Sequence, residues 1–267
     1  MMTTDKVLVI KFGGHAMSDN DGEFGKKLAS AIAQGLKVVV VHGGGPQINA
    51  ALEEARITST FIGGFRVTSP EIFEVVERVL SEEVGPQVAQ TLTQSGVAAL
   101  AISGRHSGTL FARKQRQLVN GESADLGLVG EVQSVDTEAI KVLLEKNVTP
   151  VISPVANDID SDGGLNVNAD IAAAAVSGAL KAEELIIMTD VTGIYRNWPD
   201  KDSLIESISS TELEEIKSTF AEGMAPKVQA CLDAIKAGAT AVRIIDGRDP
   251  AAFASALAHR GGTLVVA

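Results

Sequence analysis

Lys6-Val7-Leu8-Val9-Ile10-Lys11-Phe12-Gly13-Gly14 and Lys37-Val38-Val39-Val40-Val41-His42-Gly43-Gly44-Gly45-Pro46 are the stretches whose reading decides the fold. Each is an apolar, β-branched run ending in glycines, the pattern of a buried strand that enters a tight loop. Between them Phe24, Leu28, Ala31 and Ile32 recur at helical spacing, which completes a βαβ unit and predicts a parallel sheet. Both glycine loops then lie at one sheet edge, and in open parallel sheets ligands bind beyond the carboxyl ends of the strands.

The alternation continues outward. Helices are predicted over 71–80, 137–146, 169–180, 226–237 and 250–257, and strands over 98–103, 150–153, 185–189 and 242–246. The segments Leu110 to Val119 and Ala156 to Val167, rich in Gly, Asn and Asp, read as hairpins laid over the sheet edge, where they could form a substrate lid. The expected fold class is α/β, an open, mainly parallel sheet sandwiched by helices (α/β/α). No linker-like tract interrupts it, so 1–267 reads as a single domain of two lobes with a β-hairpin lid, divided near residue 183.

Composition narrows the function. With 23 Lys and Arg against 34 Asp and Glu, a net charge of −11 opposes binding to nucleic acid or anionic membranes. No apolar run approaches the roughly 20 residues that span a bilayer, and the first residues lack the parts of a secretory signal, so a cytoplasmic location is expected. Cys231 falls among Val228, Leu232 and Ile235 at helical spacing and reads as core. His15, His42, His106 and His259 with one cysteine make no metal-ligand cluster, so no protein-held metal is expected.

Several residues break the local rules. Lys11 lies in an apolar strand, where an ammonium must find an anion or reach solvent, and the adjoining Gly13-Gly14 lets backbone amides approach a phosphate. His42-Gly43-Gly44-Gly45-Pro46 places three glycines between a strand and a helix, where N-terminal amides can hold an anion. That run matches neither the P-loop nor the dinucleotide fingerprint. Arg66, in Gly63-Gly64-Phe65-Arg66-Val67-Thr68, suits bidentate capture of a carboxylate or an ordinary ion pair. Asn166-Val167-Asn168-Ala169-Asp170 concentrates amides and a carboxylate at a helix start, where Asn168 or Asp170 could be a cap. Lys227 falls in the first turn of a helix, which the macrodipole disfavours for a cation unless an oxyanion is near. Thr189-Asp190-Val191-Thr192-Gly193-Ile194-Tyr195 follows a strand, as a nucleotide-contacting loop or a plain connection.

Taken in order, Lys-x-Gly-Gly, His-Gly-Gly-Gly-Pro, Gly-Phe-Arg-Val-Thr, Asn-Val-Asn-Ala-Asp, Thr-Asp-Val-Thr-Gly and Gly-Met-x-x-Lys resemble the amino acid kinase superfamily, and within it the acetylglutamate kinases. The motifs run from residue 11 to residue 227, and Ile244-Ile245-Asp246-Gly247-Arg248 extends the likeness. Asp125 to Val132 is also similar to a segment of those kinases. The resemblance implies ATP-dependent phosphorylation of the side-chain carboxylate of N-acetyl-L-glutamate. It implies that Lys11 and Lys227 contact the transferring phosphoryl group while Asp170 holds both ammonium groups. Arg66, Asn166, Gly44 and Gly45 would bind the acylated amino acid; Gly13 and Gly14 would cradle phosphate; Thr189, Asp190, Val191, Thr192, Gly193 and Ile194 would line the ATP site. ATP with Mg²⁺ bound to it would be the cofactors. About 1–183 would carry the amino-acid site and the dimer contact, and about 184–267 the nucleotide.

Two stretches depart from the family pattern. The Gly85-Pro86 pair in Ser81 to Pro86 is expected to break a helix, and Ser103-Gly104-Arg105-His106 is more basic than usual, which bears on substrate length. Too few residues precede the first strand for the interlocking helix of arginine-inhibited members, so a homodimer insensitive to arginine is expected. A kinase of a longer N-acylated acid such as N-acetylaminoadipate, or a nucleotide sensor on the same fold, is the alternative.

Overall fold

Val7–Phe12 (β1) and Lys37–His42 (β2) lie side by side and parallel, Lys11 opposite Val41 and Phe12 opposite His42. This is seen in a computed structural model, which describes residues 6–13, 22–118, 120–220 and 224–267. Glu23–Ala33 (α1) crosses over between the two strands and buries Phe24 and Leu28, the face its sequence period sets aside. The chain continues through Gly45–Glu54 (α2), the short hairpin Phe61–Ile62 (β3) and Phe65–Arg66 (β4), Pro70–Arg78 (α3), Gly85–Gln94 (α4) and Ala99–Ser103 (β5). Next come Leu110–Lys114 (β6), Val129–Val135 (β7), Glu138–Glu145 (α5), Thr149–Ser153 (β8), Val155–Asp158 (β9), Gly164–Val167 (β10) and Ala169–Leu180 (α6). Glu184–Thr189 (β11), Ser207–Ser209 (β12), Ser210–Ile216 (α7), Ala225–Lys236 (α8), Ala241–Asp246 (β13), Pro250–Leu257 (α9) and Thr263–Val266 (β14) complete it.

Among the described residues the main sheet has eight strands in the order β12-β14-β13-β11-β1-β2-β8-β5. It is parallel except where β14 runs antiparallel to β13, so the expected mainly parallel sheet between helices is what forms. Alternate residues of a strand point to opposite faces, and β1 divides accordingly. Val9 packs with Ala172, Val176 and Val228 of α6 and α8. Leu8, Ile10 and Phe12 pack with Phe24, Val76 and Phe253 of α1, α3 and α9. Lys11, two residues beyond Val9, therefore faces α6 and α8 at the carboxyl end of the sheet.

Two expectations change. Leu110 to Val119 is not a hairpin by itself: β6 finds its antiparallel partner in β7, on the far side of a turn-rich excursion. The hairpin expected over Ala156 to Val167 is real, formed by β9 and β10, and these four strands close into a small barrel in the order β10-β7-β6-β9. Val119 lies outside the described residues. Gly85-Pro86 does not break the helix either. A π-helical turn over Val79–Val84 joins α3 to α4, and Gly85 itself is right-handed at φ −57° and ψ −53°. The wider turn loosens the backbone ladder at the point where Pro86 has no amide to donate.

Candidate active site

Three elements converge on Asp170. The strand β1 delivers Lys11, the first turn of α6 delivers Asp170, and the first turn of α8 delivers Lys227. Asn168 caps α6, its Oδ1 accepting from the amides of Asp170 at 2.8 Å and Ile171 at 3.4 Å, which fixes where the Asp170 side chain starts. Lys11 Nζ lies 3.0 Å from Asp170 Oδ1, and Lys227 Nζ lies 3.1 Å from Oδ2. Asp170 is buried. Burial alone would raise its carboxyl pKa, but the two ammonium groups overcome that and hold it down at about 2. The cluster is a fixed carboxylate clamping two cations, a net positive centre in an acidic chain.

The helices that carry these groups touch closely, because a Cβ on Gly178 of α6 would come within 2.3 Å of the Cβ of Ala237, which follows α8. Gly13 is equally constrained: a Cβ there would meet Met188 O at 2.6 Å and Lys11 Nζ at 3.2 Å, so the backbone passes directly beside the ammonium. Gly14 lies outside the described residues.

A cleft of about 200 Å³ opens on one side, and Gly44, Gly45, Arg66, Asn166 and Ala169 all line it. Ala169 connects this wall to Asp170. Gly44 and Gly45 begin α2 without any side-chain cap, and a Cβ on Gly44 would run into Leu80 of the π-helical turn at 2.5 Å. Arg66 is only 7% exposed, donating to Ser59 Oγ and Asn49 Oδ1 at 2.7 Å each while lying over the Phe61 ring at 4.6 Å. Both partners are neutral, and no carboxylate of the described residues pairs with it. Burial lowers its affinity for its proton, so Arg66 is a partly desolvated cation with an arrangement that an anion would stabilise. The neighbouring basic residues do not supply this site. Arg105 forks onto Glu77 at 2.8 and 3.0 Å, and His106 Nε2 approaches the same carboxylate at 3.4 Å.

A second cleft, about 730 Å³, has Lys227 in its lining together with Asp190 and Val191. Thr189 ends β11 and donates to Asp190 Oδ1 at 3.0 Å. Thr192 is exposed and outside this lining, whereas Gly193 and Ile194 lie behind it, buried, with the Ile194 amide donating to Thr263 Oγ1 at 2.8 Å. Tyr195, the last residue of that loop motif, lines the cleft in an edge-to-face pair with Trp198, ring centroids 5.3 Å apart; sequence reading missed Trp198, which is 64% exposed. The available signal was compositional: these are the chain's only tyrosine and only tryptophan, three residues apart in a loop. His42 is outside both clefts. Its Nδ1 donates to Gly43 O at 2.7 Å, and burial lowers its pKa to about 4, so it is neutral structure and no acid or base near neutral pH.

The amino acid kinase family matches residues 6–246 of this sequence. The chain belongs to the amino acid kinase family. Relatives of this kinase named acetylglutamate kinase include one from Paenarthrobacter aurescens, 46% identical over 254 residues that cover 91% of this chain and 80% of that one. Another, from Kineococcus radiotolerans, is 43% identical over 250 residues, covering 91% and 83%. Among solved structures, smu.665 from Streptococcus mutans superposes with a TM-score of 0.80 at 29% identity, covering 97% of this kinase and 98% of that chain. The motifs of this kinase thus sit where the geometry gathers them: two lysines on one aspartate, with a cleft on either side.

Proposed function

We propose that this kinase transfers the terminal phosphoryl group of ATP to the side-chain carboxylate of N-acetyl-L-glutamate, giving N-acetyl-L-glutamyl 5-phosphate for arginine biosynthesis. The observation that carries this reading is Arg66, buried without a carboxylate partner in a cleft that leads through Ala169 to the Asp170 ion pairs. Relatives named acetylglutamate kinase, at 43% and 46% identity over most of the chain, support the same substrate. A planar guanidinium suits an α-carboxylate, and with that end held, the side-chain carboxylate is the end left to meet Lys11 and Lys227. An ionised carboxylate needs no base, so the catalytic task is alignment and charge neutralisation. Lys11 and Lys227 perform it on the phosphoryl oxygens, and Asp170 keeps both ammonium groups aimed.

The amides of Gly44 and Gly45 complete the amino-acid site with Asn166. The nucleotide takes the second cleft, with Asp190, Val191 and the Tyr195–Trp198 pair along it, and with Thr189, Thr192, Gly193 and Ile194 shaping the loop behind. Gly13 lies along the phosphates. Among the described residues no trio of His, Cys, Asp or Glu is spaced to hold a metal. Mg²⁺ is therefore read as arriving on the phosphates of ATP, where it neutralises charge. Residues 1–183 form the amino-acid lobe and dimer contact, 184–267 the nucleotide lobe, in a cytoplasmic homodimer; no described helix is long and apolar enough to cross a membrane.

The test is ATP-dependent acyl-phosphate formation, trapped with hydroxylamine in the presence of Mg²⁺, on N-acetylglutamate, glutamate, aspartate and N-acetylaminoadipate. Turnover of N-acetylglutamate well above the other three is expected. A preference for the longer acid changes the substrate and keeps the mechanism, and no hydroxamate from any of the four overturns the proposal.

A further inference from the structure

Thr68 is fully buried and lines neither cleft, yet its hydroxyl ties the Asn166 side chain to the backbone of Arg66, two residues that line the amino-acid cleft. Its Oγ1 donates to the carbonyl of Arg66 at 2.7 Å, and the Asn166 carboxamide stands 3.1 Å from the same oxygen. A carbonyl can only accept, so the one proton of the hydroxyl is committed to Arg66 O. Toward Asn166 the hydroxyl can then only accept, and the Nδ2 end of the carboxamide must face it. The other end, Oδ1, takes no hydrogen bond from any described residue, and Asn166 lines the cleft.

Thr68 has no freedom to release this arrangement. Its amide donates to Leu126 O at 3.0 Å, and its carbonyl accepts from Leu128 N at 2.7 Å. Between them Gly127 adopts φ +68°, and a Cβ there would lie 2.3 Å from Thr68 O, so the clamp is as close as a glycine backbone permits. A carboxamide whose orientation is set in this way carries an acceptor on a known side, whereas an untethered one can turn over and offer two donors instead.

We propose that Thr68 is a positioning residue that makes Asn166 an acceptor for an N–H of the substrate. It thereby selects an N-acylated amino acid over an isosteric ester. The Arg66 guanidinium in the same cleft disfavours a free ammonium, so the N–H that satisfies both groups is an amide. This rests on the phosphorylation of N-acetylglutamate proposed above and names the group by which that substrate is recognised.

The experiment compares N-acetyl-L-glutamate with its ester analogue, O-acetyl-2-hydroxyglutarate, by initial rates of ADP release from the full chain with Mg²⁺ and ATP. Wild type should favour the amide in kcat/KM by about 10-fold or more, because the ester places an oxygen against Asn166 Oδ1. Thr68→Val should bring that ratio to within about threefold of unity, mostly through KM for the amide, with KM for ATP unchanged. Thr68→Ser should restore the wild-type ratio. If circular dichroism finds Thr68→Val unfolded, Thr68→Ala takes its place. A wild-type ratio near one, or an unchanged ratio in the hydroxyl-free variant, overturns the role of Thr68 while leaving the kinase reading intact. Absence of ADP release with N-acetylglutamate in wild type instead overturns the reading on which it rests.

Discussion

Asp170 and Arg66 are opposite solutions to the same electrostatic problem. Asp170 is a buried anion with two cations on it, and Arg66 is a buried cation with neutral partners only. The first arrangement is complete within the protein and orients Lys11 and Lys227; the second, on the function proposed above, is completed by the substrate carboxylate. Substitutions should separate accordingly. Lys227→Ala should lower kcat by about 100-fold or more, the usual cost of removing one preorganised charge from a transition state, with a much smaller change in KM for the amino acid. Arg66→Ala should do the reverse, raising KM for N-acetylglutamate by roughly 10- to 100-fold. Steady-state kinetics on both substrates checks this, and near-normal turnover in Lys227→Ala would remove its assignment. These residues were legible in the sequence because each is an anomaly in its own element: a lysine in an apolar strand, a lysine at a helix N-terminus, an arginine among glycines. Thr68 and Trp198 were not, since a threonine after a strand and a tryptophan in a loop are ordinary until the fold places something opposite them.

At the scale of elements, the catalytic spacing is a helix-packing distance. The Asp170 carboxylate belongs to α6 and the Lys227 ammonium to α8, and Gly178 against Ala237 sets how near those helices come. Gly178→Ala would gain about 1 kcal/mol of helix propensity. Against that stands a Cβ 2.3 Å from Ala237 Cβ and 3.2 Å from its backbone carbon, with no flexible side chain to give way. Overpacking of this kind costs about 1–3 kcal/mol, so the net effect should be destabilising. A lower urea midpoint together with a reduced kcat is expected; an unchanged midpoint would mean that the helices part without penalty. Helix α6 itself was readable to the residue, because its apolar run is continuous and its cap is an asparagine. The barrel was not. Pairing of β6 with β7 spans a long excursion, and local turn signals say nothing about a partner so distant in sequence. The π-helical turn was hidden for a related reason: Gly85-Pro86 carries a breaking signal, whereas Leu80 lies close against Gly44 and Gly85 close against His42, neighbours distant in sequence that no local signal announces.

For the whole molecule, two buried titratable groups tie stability to pH in successive windows. His42 is held neutral, with its pKa lowered by burial from 6.5 to about 4 and its Nε2 without a partner. The unfolded chain therefore binds a proton near pH 6.5 that the folded chain refuses until about pH 4, so His42 contributes stability above 6.5 that is lost as pH falls through that interval. Asp170 follows the same sign in the next window: full stabilisation above 3.8, lost as pH falls toward about 2. Each loss is on the order of 2 to 3 kcal/mol, a large share of the 5–15 kcal/mol by which a domain is ordinarily stable. The urea midpoint should therefore be nearly level above pH 7, decline from about pH 6.5 to 4, and decline further below. Replacing His42 by Gln removes the proton linkage of the upper window. His15, His106 and His259 remain in both proteins and cancel in the comparison. His42→Gln should therefore show a flatter decline between pH 6.5 and 4, with the lower window, owed to Asp170, unchanged. Parallel curves in the upper window would mean that His42 titrates alike in the folded and unfolded chain. Since His42 ends β2 with its Nε2 facing Gly85 at the start of α4, water would then already reach the interior behind Gly44 and Gly45.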